Sequence, residues 1–351
     1  VKTVTNGNGG TALPTAWTLT ASGPTTISGT TGSADVTNVA VNAGKYALAE
    51  ANGPAGYTAG AWSCTGATAA NGEVTVPNGG DVVCTINNDD QAGHLTLVKT
   101  VTNDNGGTAL PTAWTLTATG PTAISGTTGA DAVTGATVDA GTYTLAESGG
   151  PSGYTAGDWK CTGATASNGK VAVPNGGNVV CTINNDDQPA QLTLVKTVTN
   201  DNGGTALPTA WTLAASGPTP ISGATGTLPV TNAVVNAGAY TLGESGGPSG
   251  YTAGDWKCTG ATAANGTVTV PNGGNVVCTI NNDDQAAKLT LQKIVDANAT
   301  GSAKVPANWT LTATPDSIAG QATVSGNGDP SSAGGVEEVG VFAGSYTLDE
   351  D

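Results

Sequence analysis

The chain has 351 residues, with 10 lysines, no arginine and 26 acidic side chains, for a net charge of −16. That balance excludes nucleic acid and anionic membrane surfaces as partners, and no run approaches the roughly 20 apolar residues of a membrane span. Only 10% of residues are charged, yet Trp, Tyr, Val and Leu recur at regular positions, which points to thin cores rather than disorder.

The first strand is expected at once. Val1 already lies in an alternating segment, so an export signal or wall anchor is expected outside this chain. The phrase Leu-Val-Lys-Thr-Val-Thr-Asn at 97–103 returns at 194–200. Lys2, Lys99, Lys196 and Lys293 fall at equal steps of 97, as do Trp17, Trp114 and Trp211. This period is too long for a solenoid coil of roughly 20–50 residues and suits a small domain. Four modules follow: 1–90, 94–187, 191–284 and a partial fourth at 288–351, which has no cysteine.

In the second module, residues 95–101 alternate and predict a strand; 103–107 (Asn-Asp-Asn-Gly-Gly) predict a turn. Strands are expected at 113–118, 133–138 and 141–147, with breaks at Gly120-Pro121 and 126–129. After a turn at 149–153, residues 154–161 are expected to run extended, and strands at 171–173 and 179–183 finish the module. Seven or so short Thr- and Val-rich strands with frequent turns describe a β-sandwich of immunoglobulin-like type. No helical period of useful length is present. The linkers 91–94, 188–191 and 285–288 are short, so an all-β tandem array in the form of a rod is expected.

The six cysteines form three pairs, Cys64/Cys84, Cys161/Cys181 and Cys258/Cys278, each 20 apart. One pair per module reads as a disulfide in an oxidising compartment. A zinc site needs about four ligands, and the single histidine, His94, lies in a linker.

Alternate side chains of a strand share a face. Leu95, Leu97 and Lys99 therefore point together, as do Tyr143, Leu145 and Glu147, and Val179, Cys181, Ile183 and Asn185. Glu147 and Glu244 are the only glutamates of their modules, so these sparse charges lie in register with apolar faces. Two readings are open. One is a half-buried Lys–Glu ion pair capped by Asn, or a lysine whose tip reaches solvent. The other is chemistry: burial frees a neutral amine and protonates the carboxyl, and the amine attacks the Asn carboxamide with loss of ammonia.

Lys in the first strand, then Tyr-x-Leu-x-Glu with Gly, Pro and Gly-Tyr, then Asn closing the last strand, resembles the Cna B-type domain. Residues 143–154, Tyr-Thr-Leu-Ala-Glu-Ser-Gly-Gly-Pro-Ser-Gly-Tyr, carry the most specific match. The resemblance covers the three complete modules and the first two-thirds of the fourth. It implies the prealbumin-like β-sandwich of SpaA-type pilins and Gram-positive surface adhesins. It also implies an autocatalytic isopeptide bond in each module, with Glu as catalyst. The triads would be Lys2/Glu50/Asn88, Lys99/Glu147/Asn185 and Lys196/Glu244/Asn282. The last strand ends Asn-Asn, and parity favours Asn185 over Asn184. Lys293 and Glu350 have no visible Asn partner.

Weaker signals read as structure. Trp159 and Cys161 share a face, as do Trp62/Cys64 and Trp256/Cys258, which suits a tryptophan packed on a disulfide better than a sugar platform. Asn-Asn-Asp-Asp at 184–187 beside Asn-Asp-Asn at 200–202 of the next module has calcium-type ligands. The first module has Gly7 where the others have Asp104 and Asp201, and solvated turns are favoured; no metal and no cofactor is assigned. No multiple-turnover catalytic constellation can be assembled.

The expected function is therefore a structural, extracellular stalk or fibre at a bacterial surface, built of disulfide- and isopeptide-stapled modules. Its expected partners are neighbouring modules or like subunits. The alternatives are an adhesin gripping cell wall, glycan or matrix protein by avidity, with an exposed Tyr154, and a filament subunit whose partial fourth module is completed by another chain.

Overall fold

A computed structural model describes residues 1–296 and 303–351; the fourth module's residues 297–302 lie outside the described residues. The described residues hold β-strands and short 3-10 turns, with no α-helix. They divide into two compact units. One is Val1–Asp104 with Thr108–Asp187, and the other is Asn105–Gly107 with Gln188–Asp351.

The second module has two sheets. In one, the first strand Gly93–Thr102 lies between Ala136–Val138 and the last strand Asn178–Asp187. Tyr154–Ala156 and Lys160–Thr162 both pair on the far edge of that last strand. The other sheet runs Ile124–Gly126, Trp114–Thr119, Gly141–Gly149, Lys170–Val173. The first and last strands run parallel, with Lys99 opposite Ile183 and Val101 opposite Asn185. Every other strand pair of the module is antiparallel. The third module repeats this layout, with Ala190–Thr199 parallel to Asn275–Asp284.

Alternation decides the core. Leu95, Leu97, Leu116, Tyr143, Val179 and Cys181 are fully buried between the sheets. Each large apolar side chain so enclosed contributes about 1.5–3 kcal/mol. The Tyr143 hydroxyl donates to Asp139 O at 2.7 Å and accepts from Thr122 N at 3.2 Å, so its polar tip is satisfied where the ring is buried. Asn168 and Gly169 both have positive φ, 50° and 69°, and close a two-residue turn between Ser167 and Lys170. That is the turn whose twist matches the flanking strands.

Three expectations change in detail. Residues 154–161 are not one extended segment. They break at Gly157, whose N–H is donated to Asn184 O at 2.8 Å, and Trp159 turns in against the core. Asp131–Val133 is a 3-10 turn, leaving only Ala136–Val138 as strand. The last strand extends to Asp187, because both its edges are occupied along their length. The second module thus has nine strands rather than about seven.

The fourth module is thinner. Ala287–Leu291 pairs with Val336–Val341, and Thr310–Pro315 lies between Val324–Asn327 and Tyr346–Glu350. Its Leu348 is 65% exposed, whereas Leu145 at the matching position is 5% exposed. In the second module that apolar face is covered by Lys170–Val173 and the last strand.

Candidate functional site

Three strands bring one Lys, one Glu and one Asn together in each of the first three modules. Lys99 comes from the middle of the first strand and Asn185 from the parallel last strand, two rungs further on. Glu147 comes from the facing sheet, opposite Leu116. The lysine side chains of Lys2, Lys99 and Lys196 are 0% exposed, and their glutamates 13–14%. Asn88, Asn185 and Asn282 are also buried.

The contacts are short. Lys2 Nζ donates to Glu50 Oε2 at 2.6 Å, and Asn88 Nδ2 donates to Glu50 Oε1 at 2.7 Å. Asn282 Nδ2 donates to Glu244 Oε1 at 2.8 Å. Lys99 Nζ lies 2.6 Å from Glu147 Oε2, and Lys196 Nζ 2.7 Å from Glu244 Oε2. In these two pairs the atoms are close but sit outside hydrogen-bond angles. Burial drives the Lys99 ammonium below the usual lysine range, with Glu147 opposing that shift.

One atom is left over in every copy. The carboxamide oxygens of Asn88, Asn185 and Asn282 are buried and accept no hydrogen bond among the described residues. A buried orphan acceptor costs about 1–3 kcal/mol. Carboxamide nitrogen and oxygen are interchangeable in shape. Exchanging them would set the oxygen against the Glu carboxyl, which could then serve it as a proton donor. A buried amine, a carboxyl and a carboxamide are the three groups that amide formation between side chains requires.

An aromatic floor lies beneath. Lys2, Lys99 and Lys196 sit 4.7, 4.9 and 4.9 Å from the ring centres of Trp17, Trp114 and Trp211. Tyr154 packs edge-on against Trp114, its hydroxyl bonded to Asn103 Oδ1 at 2.5 Å and to Ala109 N at 3.0 Å. Tyr154 is thus half-buried and committed internally, not the exposed residue expected for sugar contact. The 97-residue Trp period by itself gives Trp114 no role. The signal was present, since Trp114 shares strand parity with Leu116 and Ala118. In the fourth module, Lys293 Nζ contacts Glu350 at 2.9 and 2.6 Å and lies 5.2 Å from Trp309. That pair is more open, Lys293 at 22% and Glu350 at 52% exposed.

The cysteines pair within modules, as Cys64–Cys84, Cys161–Cys181 and Cys258–Cys278. Cys161 and Cys181 are direct cross-strand neighbours.

The acidic turns fall elsewhere than expected. Asp186 and Asp187 meet Asp104 of their own module, not the next module's turn, because the parallel first and last strands end side by side. Asp201, Asp283 and Asp284 form the matching group. Asp284 accepts backbone N–H groups from Asp201, Asn202 and Gly204, at 2.6–3.0 Å. Burial pushes its carboxyl up, but these donors and the Asn202 side chain outweigh it and hold the group below the usual range. Asp90 behaves alike, with Gly10, Asn8 and Gly7 as donors. By contrast, desolvation and the charges of Asp186 and Asp187 push Asp104 up.

A depressed folded pKa stabilises above the unfolded value, about 3.9, and that support is lost as pH falls through the folded value. Hydrogen-exchange protection at Asn8 and Gly10, corrected for intrinsic rates, should hold from neutral pH to about 4 and vanish below. Loss already near pH 6 would contradict the assignment.

Residues 1–86, 90–183, 187–280 and 284–351 each match the family described as prealbumin-like fold domain, SpaA_2. No curated protein matches the chain by sequence. Among solved structures, the Bacillus anthracis TIE protein is similar at 15% identity, over 88% of this chain and 65% of that one, with a TM-score of 0.46. The chain thus spans less than two-thirds of that protein. The major pilin T-13 of Streptococcus pyogenes is similar at 15% identity, over 55% of this chain and 98% of that one, with a TM-score of 0.28. Two B repeat units of the collagen-binding protein Cna of Staphylococcus aureus are similar at 16% identity, over 99% and 91%, with a TM-score of 0.22. All three scores lie below 0.5, so the assignment rests on the four matched segments. They span nearly the whole sequence, and the chain belongs to the prealbumin-like fold domain family, which it carries in four tandem copies.

Proposed function

We propose that this chain is part of an extracellular, load-bearing stalk at a bacterial surface, with modules at 1–90, 94–187, 191–284 and 288–351. Its first three modules are each closed by a Lys–Asn isopeptide bond. The carrying observation is the buried Lys–Glu–Asn cluster between first and last strands, repeated three times with an orphan carboxamide oxygen. The disulfides support an oxidising compartment.

The reaction is a single turnover. The Lys99 amine attacks Asn185 Cγ while the Glu147 carboxyl protonates the carboxamide oxygen. The new C–N bond forms, the Cγ–Nδ2 bond breaks, and Nδ2 leaves as ammonia with a proton passed through Glu147. The carboxyl ends as it began, and an amide joins the two strands.

The load path follows. Tension enters a module through its first strand and leaves through its last. Because these strands are parallel, their hydrogen bonds are loaded together in shear. A Lys99–Asn185 amide bypasses the chain between them. With the Cys161–Cys181 disulfide intact, opening that stretch would release about 65 residues, roughly 220 Å. In single-molecule pulling on the chain, the first three modules should resist that extension up to covalent rupture. Three full-length unfolding steps of that size would overturn the proposal.

A further inference from the structure

The short linkers are only part of what connects the modules. After the first strand, the first module turns through Asn6-Gly7-Asn8-Gly9-Gly10. Its last strand ends on Asp90, which is 4% exposed. The Asp90 carboxylate accepts Asn8 N–H at 3.0 and 2.8 Å, Gly10 N–H at 2.7 Å and Asn8 Nδ2 at 3.3 Å. Asn8 Nδ2 also donates to Asp90 O at 2.9 Å. The loop is thereby held to the strand end in one shape.

That shape is what the second module meets. Ala140 N–H of the second module donates to Asn8 O at 2.7 Å. Between the two held residues sits Gly9, with φ +86°. A Cβ on Gly9 would stand 2.3 Å from Ala140 O and 2.9 Å from Ala140 N, so the contact is backbone on backbone and admits no side chain. Gly176 N–H donates to Gln91 O at 2.8 Å, and Asn175 Nδ2 to Gly56 O at 2.5 Å.

The same device recurs in the second compact unit. Asp284 accepts Asn202 N–H at 3.0 and 2.9 Å and Gly204 N–H at 2.6 Å. Ala343 N–H of the fourth module donates to Asn202 O at 2.8 Å. A Cβ on Gly203 would stand 2.3 Å from Ala343 O. The fourth module diverges in loop length and lacks cysteines, yet keeps an Ala-Gly turn before its Tyr strand at this place. Sequence drift has spared the contact.

We infer that the first module is joined to the second, and the third to the fourth, through a built docking site, in which Asp90 and Asp284 act as positioning residues. Each holds its own module's Asn-Gly-Gly loop in the form that the next module's Ala-Gly turn recognises. An aspartate suits the task because it offers two acceptor oxygens to converging backbone donors. The joint is then a stiff interface rather than a tether, independently of any isopeptide bond.

The test uses the full chain, with spin labels on non-natural residues at exposed Lys45 and Lys160 and distances from pulsed EPR. The wild type should give one narrow distance peak. Asp90→Ala should broaden it, while amide protection around Tyr46 and Tyr143 stays at wild-type level. Gly9→Val leaves the Asp90 side chain in place and, strained itself at φ +86°, drives a Cβ onto Ala140, and it should broaden the peak as well. It decides the matter if Asp90→Ala unfolds the first module. A broad wild-type distribution, or a narrow one retained in Gly9→Val, would overturn the inference.

Discussion

Glu147→Ala should leave the second module folded but uncrosslinked, while the first and third modules still lose one ammonia each. The effect is local because each Glu lies 2.6–2.7 Å from the Lys of its own module, and Glu50 and Glu244 lie 2.7–2.8 Å from their own Asn. In the proposed mechanism the carboxyl is what protonates the carboxamide oxygen, so without it the buried amine faces a poor electrophile. Glu147→Gln should behave alike, because it keeps the shape but cannot shuttle the proton. By the chain-entropy argument used for disulfides, a link across about 85 residues is worth about 4–5 kcal/mol. The uncrosslinked module should therefore melt first. Intact mass and proteolytic mapping of the Lys99 and Asn185 peptides check the result. A bond still formed in Glu147→Gln would remove Glu147 from the chemistry.

Replacing Cys161 and Cys181 together with Ala should cost the second module about 3 kcal/mol, from a closed loop of 20 residues. At 4–8 °C per kcal/mol for a domain this size, its melting step should fall by roughly 12–24 °C. Cys181 is fully buried, so part of the loss is packing against Trp159 and the core. Calorimetry of the whole chain, with the other melting steps as internal references, measures it. An unchanged second-module step would mean that the disulfide adds nothing to a module already closed elsewhere.

Strand parity carried most of what could be read in advance. It set Leu95, Leu97 and Lys99 on one face, because a one-residue shift would have put every apolar side chain in water. It also separates Asn185, 3% exposed, from Asn184, which accepts Thr100 Oγ1 at 2.9 Å on the outer face. Parity is local, and it fails where pairing is not. Nothing near Asp187 announces that Asp104, 83 residues earlier, lies beside it. That contact follows from the parallel register of two strands at opposite ends of the module. Trp159 looks like a continuing strand residue, yet the chain breaks at Gly157 to bury its ring. The inter-module contacts of Gly9 and Gly56 were invisible for a related reason: a glycine that turns and a glycine pressed against a neighbour have the same letter.

The most direct measurement is the intact mass of the fully reduced, denatured wild-type chain. Crosslinking of the first three modules predicts a mass lower than the sequence mass by three molecules of ammonia, one per buried Lys–Glu–Asn cluster. A reduced chain at the full sequence mass would contradict it. The clusters would then be buried polar networks, and the disulfides would be the only covalent closures.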